Sequence, residues 1–529
     1  MEISNNTIDY KHLLIFVLIC AIFLFPILFF PLSGDLALFL SGVKMLDAGY
    51  LPYKDIIDIK SPFLFYVVKA ITWIFGSGEQ SLRFFDFVAQ ITTCIMMYML
   101  LYKVYKDKIA SFASGVIYSL TYTILNFTNT SQIESFFGLI IIPMIYIQLY
   151  KNDKLIYYFT IAILIGLFTG LKYTLGLLIV TPFIDDIFFN KKPTQIIVKK
   201  FLIMCLGFII SFGGTLLPYL NPEIRQGMVE MSSYFNFYAS HIKLNSAFVS
   251  SILNAINFYL SSFISIFVLG LILIAFLNFI KKYDSNSNES KFLRITFIIF
   301  VLIFITFLIE RKGYSYHHSR VNSTYMIFAG VGFSIFYNFI KHNFDSTAKK
   351  LIIVTFLIIM VPLSPLVRWV NVSQLPYKYF FNFPAYAQKY ESDSDSKVNT
   401  SYITHRKVAE YINNRISPND KVILAATGSG YINYLLKTDN KSKFTQSSYY
   451  VYPKASNKHI NDFISEISTS KFTIFQTNDV YPDVNGTSKS TYEAVINNPK
   501  IKSAIDKSLV SDTTIGKYII MHNINYNSK

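Results

Sequence analysis

The sequence predicts a mostly helical, polytopic membrane protein that carries a small water-soluble α/β domain at its C-terminal end. Three observations carry that expectation. Hydrophobic residues make up 52% of the chain and charged residues only 15%, a balance too apolar for a soluble domain of this size. Apolar runs of roughly 17 to 25 residues recur along the first seven tenths of the chain, each long enough to cross a hydrocarbon core of ~30 Å as a helix. Beyond Asn371 the chain turns polar and its apolar runs shorten to strand length.

The runs place about eleven spans near residues 12–32, 84–102, 109–125, 134–150, 155–171, 173–189, 201–220, 257–280, 295–309, 321–340 and 351–370. The first run is longer than a signal-peptide core and lacks a small-residue cleavage pattern, so it reads as an uncleaved span. The net charge of +16 would suggest nucleic acid in a soluble protein, but here the basic residues sit in short clusters between apolar runs. Lys103, Lys106, Lys108, Lys151, Lys154, Lys191, Lys192, Lys199, Lys200, Lys281, Lys282, Lys291, Arg294, Lys341, Lys349 and Lys350 all fall on one side if the N-terminus is cytoplasmic. That positive-inside bias makes the loop 33–83 and everything after about Val370 extracytoplasmic, in a cell membrane. Cys20, Cys94 and Cys205 lie inside apolar runs, which indicates neither a disulfide framework nor a cysteine metal site.

The domains expected are therefore a transmembrane domain over 1–370, a linker over 371–400 marked by the run Glu391-Ser-Asp-Ser-Asp-Ser, and an extracytoplasmic α/β domain over 401–529. Within the last, 408–416 has helical spacing, while Lys421-Val-Ile-Leu-Ala-Ala, Lys471-Phe-Thr-Ile-Phe and Lys517-Tyr-Ile-Ile-Met read as strands. Gly428 and Gly430 follow the first strand at too short a spacing for a dinucleotide fingerprint and read as a turn.

The first outside loop is too long and too patterned for a connector. Its segments 36–46 and 63–74 have amphipathic helical character, which predicts two interfacial helices. Asp35 stands just beyond the first span, followed by Gly49-Tyr50-Leu51-Pro52-Tyr53-Lys54-Asp55, by Asp58-Ile59-Lys60-Ser61-Pro62-Phe63-Leu64, and by Arg83 at the opening of the second span. This arrangement resembles the GT-C membrane glycosyltransferases, in the branch of the protein O-mannosyltransferases and lipid A aminoarabinose transferases. Ser61 stands where those families usually have proline, a departure that leaves the lysine in place. Ser131-Gln-Ile-Glu134, the stretch Gly166 to Lys172, the stretch Lys312-Gly-Tyr-Ser-Tyr-His317-His318 and the C-terminal domain are similar to further segments of the family.

The resemblance implies a hexosyl- or pentosyltransferase that moves a sugar from a polyprenyl phosphate to an acceptor on the outer face, by inversion and without a covalent intermediate. Such chemistry needs a carboxylate to take the acceptor's proton, and Asp35 is the candidate base. Glu134, Asp55 and Asp58 are the other candidate carboxylates. The departing phosphate needs fixed cations, for which Lys60, Arg83, Lys172, Lys312 and Arg320 are candidates, with Tyr314 and His317 beside them. Each has a plainer alternative. Asp35 could solvate a loop, Lys60 could snorkel to headgroups, and Glu134 could cap the following helix. The neighbouring His317 and His318 could bind a metal or merely pack, so a divalent metal ion stays an open alternative to no cofactor at all. The expected partners are a polyprenyl-phosphate-linked sugar, a glycan, lipid or protein acceptor, and membrane lipids, with no nucleic acid. Two rival readings remain: a transporter or flippase for lipid-linked sugar, and another lipid-linked glycan polymerase or ligase.

Overall fold

The computed structural model describes residues 10–151, 154–240, 263–284, 287–310, 315–351, 365–391, 401–428 and 430–526, with isolated positions 249, 253 and 355. The chain is mostly helical. Its longer helices, up to residue 343, are α1 (Tyr10–Leu24), α2 (Gly34–Asp47), α3 (Pro62–Phe75), α4 (Ser81–Tyr105), α5 (Lys108–Thr123), α6 (Gly138–Tyr150), α7 (Leu155–Leu171), α8 (Thr194–Thr215), α9 (Pro222–Ser240), α10 (Phe263–Lys281), α11 (Asn288–Glu310) and α12 (Asn322–Asn343). Among the described residues, six stretches are long and apolar enough to cross a membrane: Tyr10–Phe29, Ser81–Tyr105, Ile133–Tyr150, Thr194–Thr215, Asn288–Glu310 and Ser319–Asn343. The spans expected at 109–125 and 155–171 are the shorter helices α5 and α7. The span expected at 173–189 is a succession of 3-10 turns, one α turn and the π turn Asp185–Phe189. The span expected at 351–370 lies largely outside the described residues.

The fold gathers the chain into two compact units. One comprises Met1–Phe30, Arg83–Thr215 and Ala247–Tyr377; the other comprises Pro31–Leu82, Leu216–Ser246 and Lys378–Lys529. The first unit is a helical bundle that uses small residues at its crossings. Gly166 and Gly170 on α7 face Ser211 and Thr215 on α8 with no room for a Cβ, and Gly330 on α12 lies against Ser114 and the Ala110 carbonyl of α5 in the same way. Close backbone approach of this kind replaces the hydrophobic drive that helices lack in lipid. Ser114 Oγ donates to the Met326 carbonyl at 2.7 Å across the same crossing.

The second unit joins residues 31–82 and 216–246 to the C-terminal segment. Its four-stranded sheet has the order β1-β2-β4-β3, from β1 (Val422–Ala425), β2 (Phe472–Gln476), β3 (Leu509–Ile515) and β4 (Tyr518–Asn523). β1 and β2 run parallel, and β4 pairs antiparallel with both β2 and β3. β1 and β2 are buried along their whole length and so read as continuous apolar runs, as expected. β3 was not expected. It is the edge strand, mostly solvent-facing, and its Ser511-Asp512-Thr513-Thr514 carries no apolar signal. Gly428, with φ +85°, makes the turn after β1 that leads into the helix Gly430–Leu435.

Residues 371–391, read from the sequence as linker, are helical in Pro365–Ser373, Leu375–Phe381 and Phe383–Glu391; the rest of that segment lies outside the described residues. α2 has the extent expected of an interfacial helix, but ten of its fourteen residues are buried. Leu38 and the Gly34 carbonyl of α2 lie against Gly430, where a Cβ would meet them at 2.6 and 2.8 Å. Its apolar residues run all round the helix, so protein covers what spacing alone would assign to lipid. α3 does keep Trp73 and Ile74 exposed.

Candidate active site

In the second unit, Asp35 and Lys60 come together from two helix N-termini. Ser33 caps α2 by accepting Leu36 N–H, which puts Asp35 in the first turn, where unpaired N–H groups favour a negative charge. Ser61 caps α3 in the same way, accepting Phe63 N–H at 3.3 Å with Pro62 in the first turn. The serine that departs from the family pattern is therefore a competent cap, and it leaves Lys60 immediately outside the helix. Lys60 Nζ lies 3.9 Å from Asp35 Oδ2, and both side chains are one quarter exposed.

Asp58 sits behind this pair and is 2% exposed. Its Oδ1 accepts Lys60 N–H at 3.0 Å and its Oδ2 accepts the Thr445 hydroxyl at 3.1 Å. Burial pushes the Asp58 carboxyl up from the usual carboxylate range, while the neighbouring Lys60 charge pulls it back. The segment around Asp58 is stitched to the C-terminal domain. Ile57 N–H donates to the Lys443 carbonyl at 2.8 Å, Thr445 Oγ1 donates to the Ile57 carbonyl at 2.7 Å, and Ile59 N–H donates to the Tyr449 hydroxyl at 3.1 Å. Asp55 is placed otherwise: its Oδ2 accepts Leu51 N–H at 3.0 Å, which closes the turn 51–56.

In the first unit, a second group of charges meets where α11 ends. Glu134 accepts from Lys172, and Lys172 Nζ also lies 3.1 Å from Glu310. Arg320 places NH1 3.0 Å and NH2 2.9 Å from the two oxygens of Glu310, a forked pairing, and NH2 lies 3.4 Å from Glu134. His317 lies between the two glutamates, 3.6 Å from each. Arg320 is 1% exposed, whereas Lys172 keeps 18% of its side chain accessible and is the cation of this group that can meet a ligand.

Arg83 and the loop before Glu134 form a third arrangement. Arg83 is fully buried, and its NH1 donates to Thr130 Oγ1 at 2.9 Å and Ser131 Oγ at 2.8 Å, its NH2 to the Phe127 carbonyl at 2.9 Å. Asp86, equally buried, accepts from the Tyr122 hydroxyl at 2.7 Å, Ser131 Oγ at 2.8 Å and Gln90 Nε2 at 2.7 Å. Arg83 thereby holds the loop that presents Glu134. Lys312 and Tyr314, and the side chain of His318, lie outside the described residues. Among the described residues no group of three or more His, Cys, Asp or Glu side chains could hold a metal ion.

Sequence reasoning missed Glu310, Asp86, Thr445 and Tyr449. Glu310 could have been noticed, because it closes a long apolar run next to Arg311 and Lys312. Thr445 and Tyr449 carry no local signal at all.

Residues 59–219, which hold Lys60, Glu134 and Lys172, match the family described as dolichyl-phosphate-mannose-protein mannosyltransferase. The whole chain superposes on the crystal structure of ArnT from Cupriavidus metallidurans bound to undecaprenyl phosphate, with a TM-score of 0.58 at 10% identity over 98% of this chain and 100% of that one. The chain shares the fold of that ArnT. The apo structure of the same ArnT gives a TM-score of 0.56 at 11% identity, over 99% of this chain and 100% of that one. No curated protein sequence matches the chain. The matched segment begins one residue before Lys60, between α2 and α3, and ends just beyond α8.

Proposed function

We propose that the protein is an integral-membrane glycosyltransferase that moves a sugar from a polyprenyl-phosphate donor to an acceptor hydroxyl or amine on the outer face of the membrane. The Asp35–Lys60 pair carries this reading: a partly exposed carboxylate and a partly exposed ammonium, 3.9 Å apart, at two capped helix N-termini. In an inverting displacement Asp35 takes the acceptor's proton as its oxygen or nitrogen attacks the anomeric carbon, and the bond to the lipid phosphate breaks on the opposite side. The lipid phosphate leaves with both electrons, and Lys60 stabilises the charge it gains. Asp58 fixes Lys60 through its backbone N–H. Lys172 is held separately, within the first unit, by Glu134 and Glu310.

The sidedness follows from the basic residues of the alternate loops, with the N-terminus cytoplasmic and the C-terminal domain outside. The matched family and the undecaprenyl phosphate bound to the similar ArnT both favour a lipid-phosphate donor. The reading is tested with detergent-purified protein, radiolabelled polyprenyl-phosphate sugars and a membrane or wall extract. Wild type should transfer label. Asp35→Asn should lower turnover by about 10²- to 10⁴-fold, the usual worth of a general base. Lys60→Met should lower it by about 10²- to 10³-fold, as for loss of one oxyanion donor. Equal transfer by folded wild type and Asp35→Asn would remove Asp35 as the base.

A further inference from the structure

In the second unit two lysines meet where α2 ends. α2 lies along the helix Gly430–Leu435: near its start Leu38 and the Gly34 carbonyl face Gly430, and in its last turn Lys44 reaches Tyr434. Lys44 Nζ donates to the Tyr434 carbonyl at 2.8 Å and sits 4.3 Å from the centre of the Tyr434 ring. The chain then turns back along the edge of β1, where Val422 N–H donates to the Asn440 carbonyl and Ser442 N–H to the Val422 carbonyl, both at 3.2 Å. Lys441, bridged to Val422 between these two bonds, is only 3% exposed.

Among the described residues the Lys441 ammonium has neither a hydrogen bond nor an ion pair, an expensive state for a buried charge. Burial brings its amine down to about 7; the Lys44 charge lowers it further and Asp439 draws it up. Burial also holds Lys44 below the usual lysine range, against the pull of Asp439 and Glu79. Glu79 is engaged elsewhere, by Arg406 at 2.8 Å and by the Tyr431 hydroxyl at 2.8 Å. Two cations therefore face one carboxylate, Asp439, which is exposed, while Lys44 is half-buried. The place is reached from water and lacks a second negative charge. Two ammonium groups, each a compact point charge with rotatable N–H donors, suit a small oxyanion.

We propose that Lys441 and Lys44 form a binding site for a tetrahedral oxyanion, a phosphate group either free or carried on a larger molecule. The site draws on none of the residues assigned to sugar transfer, and its test does not use transfer activity. Detergent-purified full chain is titrated with sulfate, whose charge is constant across the pH range used, with calorimetric affinity and the thermal midpoint as readouts. Wild type should bind sulfate at pH 6.5 and be stabilised beyond the effect of sodium chloride at equal ionic strength. Affinity should fall on the order of tenfold by pH 8.5, as Lys441 loses its proton. Lys441→Met should melt above wild type without anion, having no buried charge to accommodate, and should lose the sulfate response. Asp439→Asn, at an exposed position, removes the competing carboxylate and should tighten sulfate binding by up to about fivefold. Inorganic phosphate and glycerol phosphate then separate the sources: tighter binding of the ester supports a phosphate on a larger molecule, and tighter binding of inorganic phosphate supports the free ion. A wild-type response no greater than that to sodium chloride would overturn the proposal, and so would a sulfate response retained in Lys441→Met. Should Lys441→Met fail to fold, Asp439→Asn decides the matter, since unchanged or weaker sulfate binding there overturns the proposal as well.

Discussion

Replacing Glu310 by glutamine tests whether the charges at the end of α11 act as one network. Two carboxylates, Glu134 and Glu310, face two permanent cations, Lys172 and Arg320. Glutamine keeps the size of the side chain and removes one negative charge, leaving two cations against Glu134 alone. Arg320, 1% exposed, loses the carboxylate that takes both of its terminal nitrogens and has no route to water. Breaking a buried pair in this way costs about 3–5 kcal/mol. Arg320→Met alone strands the opposite charge and should cost a similar amount. The double variant restores one carboxylate to one cation, so its loss should fall below the sum of the singles by about 1–3 kcal/mol. Thermal unfolding of the four proteins in one detergent reads this as an order of midpoints, with the double variant above the value that adding the two single losses would give. If the single losses simply add, the charges are independent and the network reasoning is wrong. A Glu310→Gln protein that melts with wild type would refute it more directly.

Other perturbations reach the second unit. Thr445→Val removes the hydroxyl that serves both the Ile57 carbonyl and Asp58; it should cost about 1–3 kcal/mol and lower transfer activity, whereas a variant melting and turning over like wild type would dismiss the brace. Gly430→Ala drives a methyl into Leu38 and the Gly34 carbonyl, and should cost about 1–3 kcal/mol, seen as a lower midpoint and faster proteolysis of 31–82. Two buried groups give opposite pH slopes. Burial lowers His405 to about 3, so its contribution is lost as pH falls below the unfolded value of 6.5. Burial raises Asp479 to about 6, so the cost of its charge is relieved as pH falls from there toward the unfolded value of 3.8. Between pH 6 and 4 the two slopes, about 1.4 kcal/mol per pH unit each, cancel. His405→Gln should then melt higher at pH 4.5 than at pH 6 and Asp479→Asn lower, and the same trend in both would refute the pairing.

The sequence showed the bundle well because a membrane imposes a length and a polarity that single runs of residues must satisfy. Asp35 and Lys60 were singled out by the resemblance to a family pattern, and each lies at a helix start capped by a serine. The buried charges were less legible. Asp86 and Glu310 fall within or at the edge of apolar runs, and their partners arrive from other helices, as Tyr122 and Arg320 do. That ten of the fourteen residues of α2 are buried by protein was not legible, because an apolar helix surface does not say whether lipid or protein covers it. Nothing between residues 33 and 83 announces that residues 443–449 will hold them, since hydrogen bonds to a distant backbone leave no spacing to read.

That distance has a consequence for how the protein is made. Ile57 and Thr445 are separated by 388 residues in the chain. During synthesis the motif around Asp58 leaves the ribosome early and then waits, without its brace, while every later span is inserted and the last domain crosses the membrane. If the proposed function holds, the Asp35–Lys60 pair would not act on lipid-linked sugar until the C-terminal domain has folded against the segment around Asp58. A chain truncated after Glu391 would insert its bundle and still have no assembled centre.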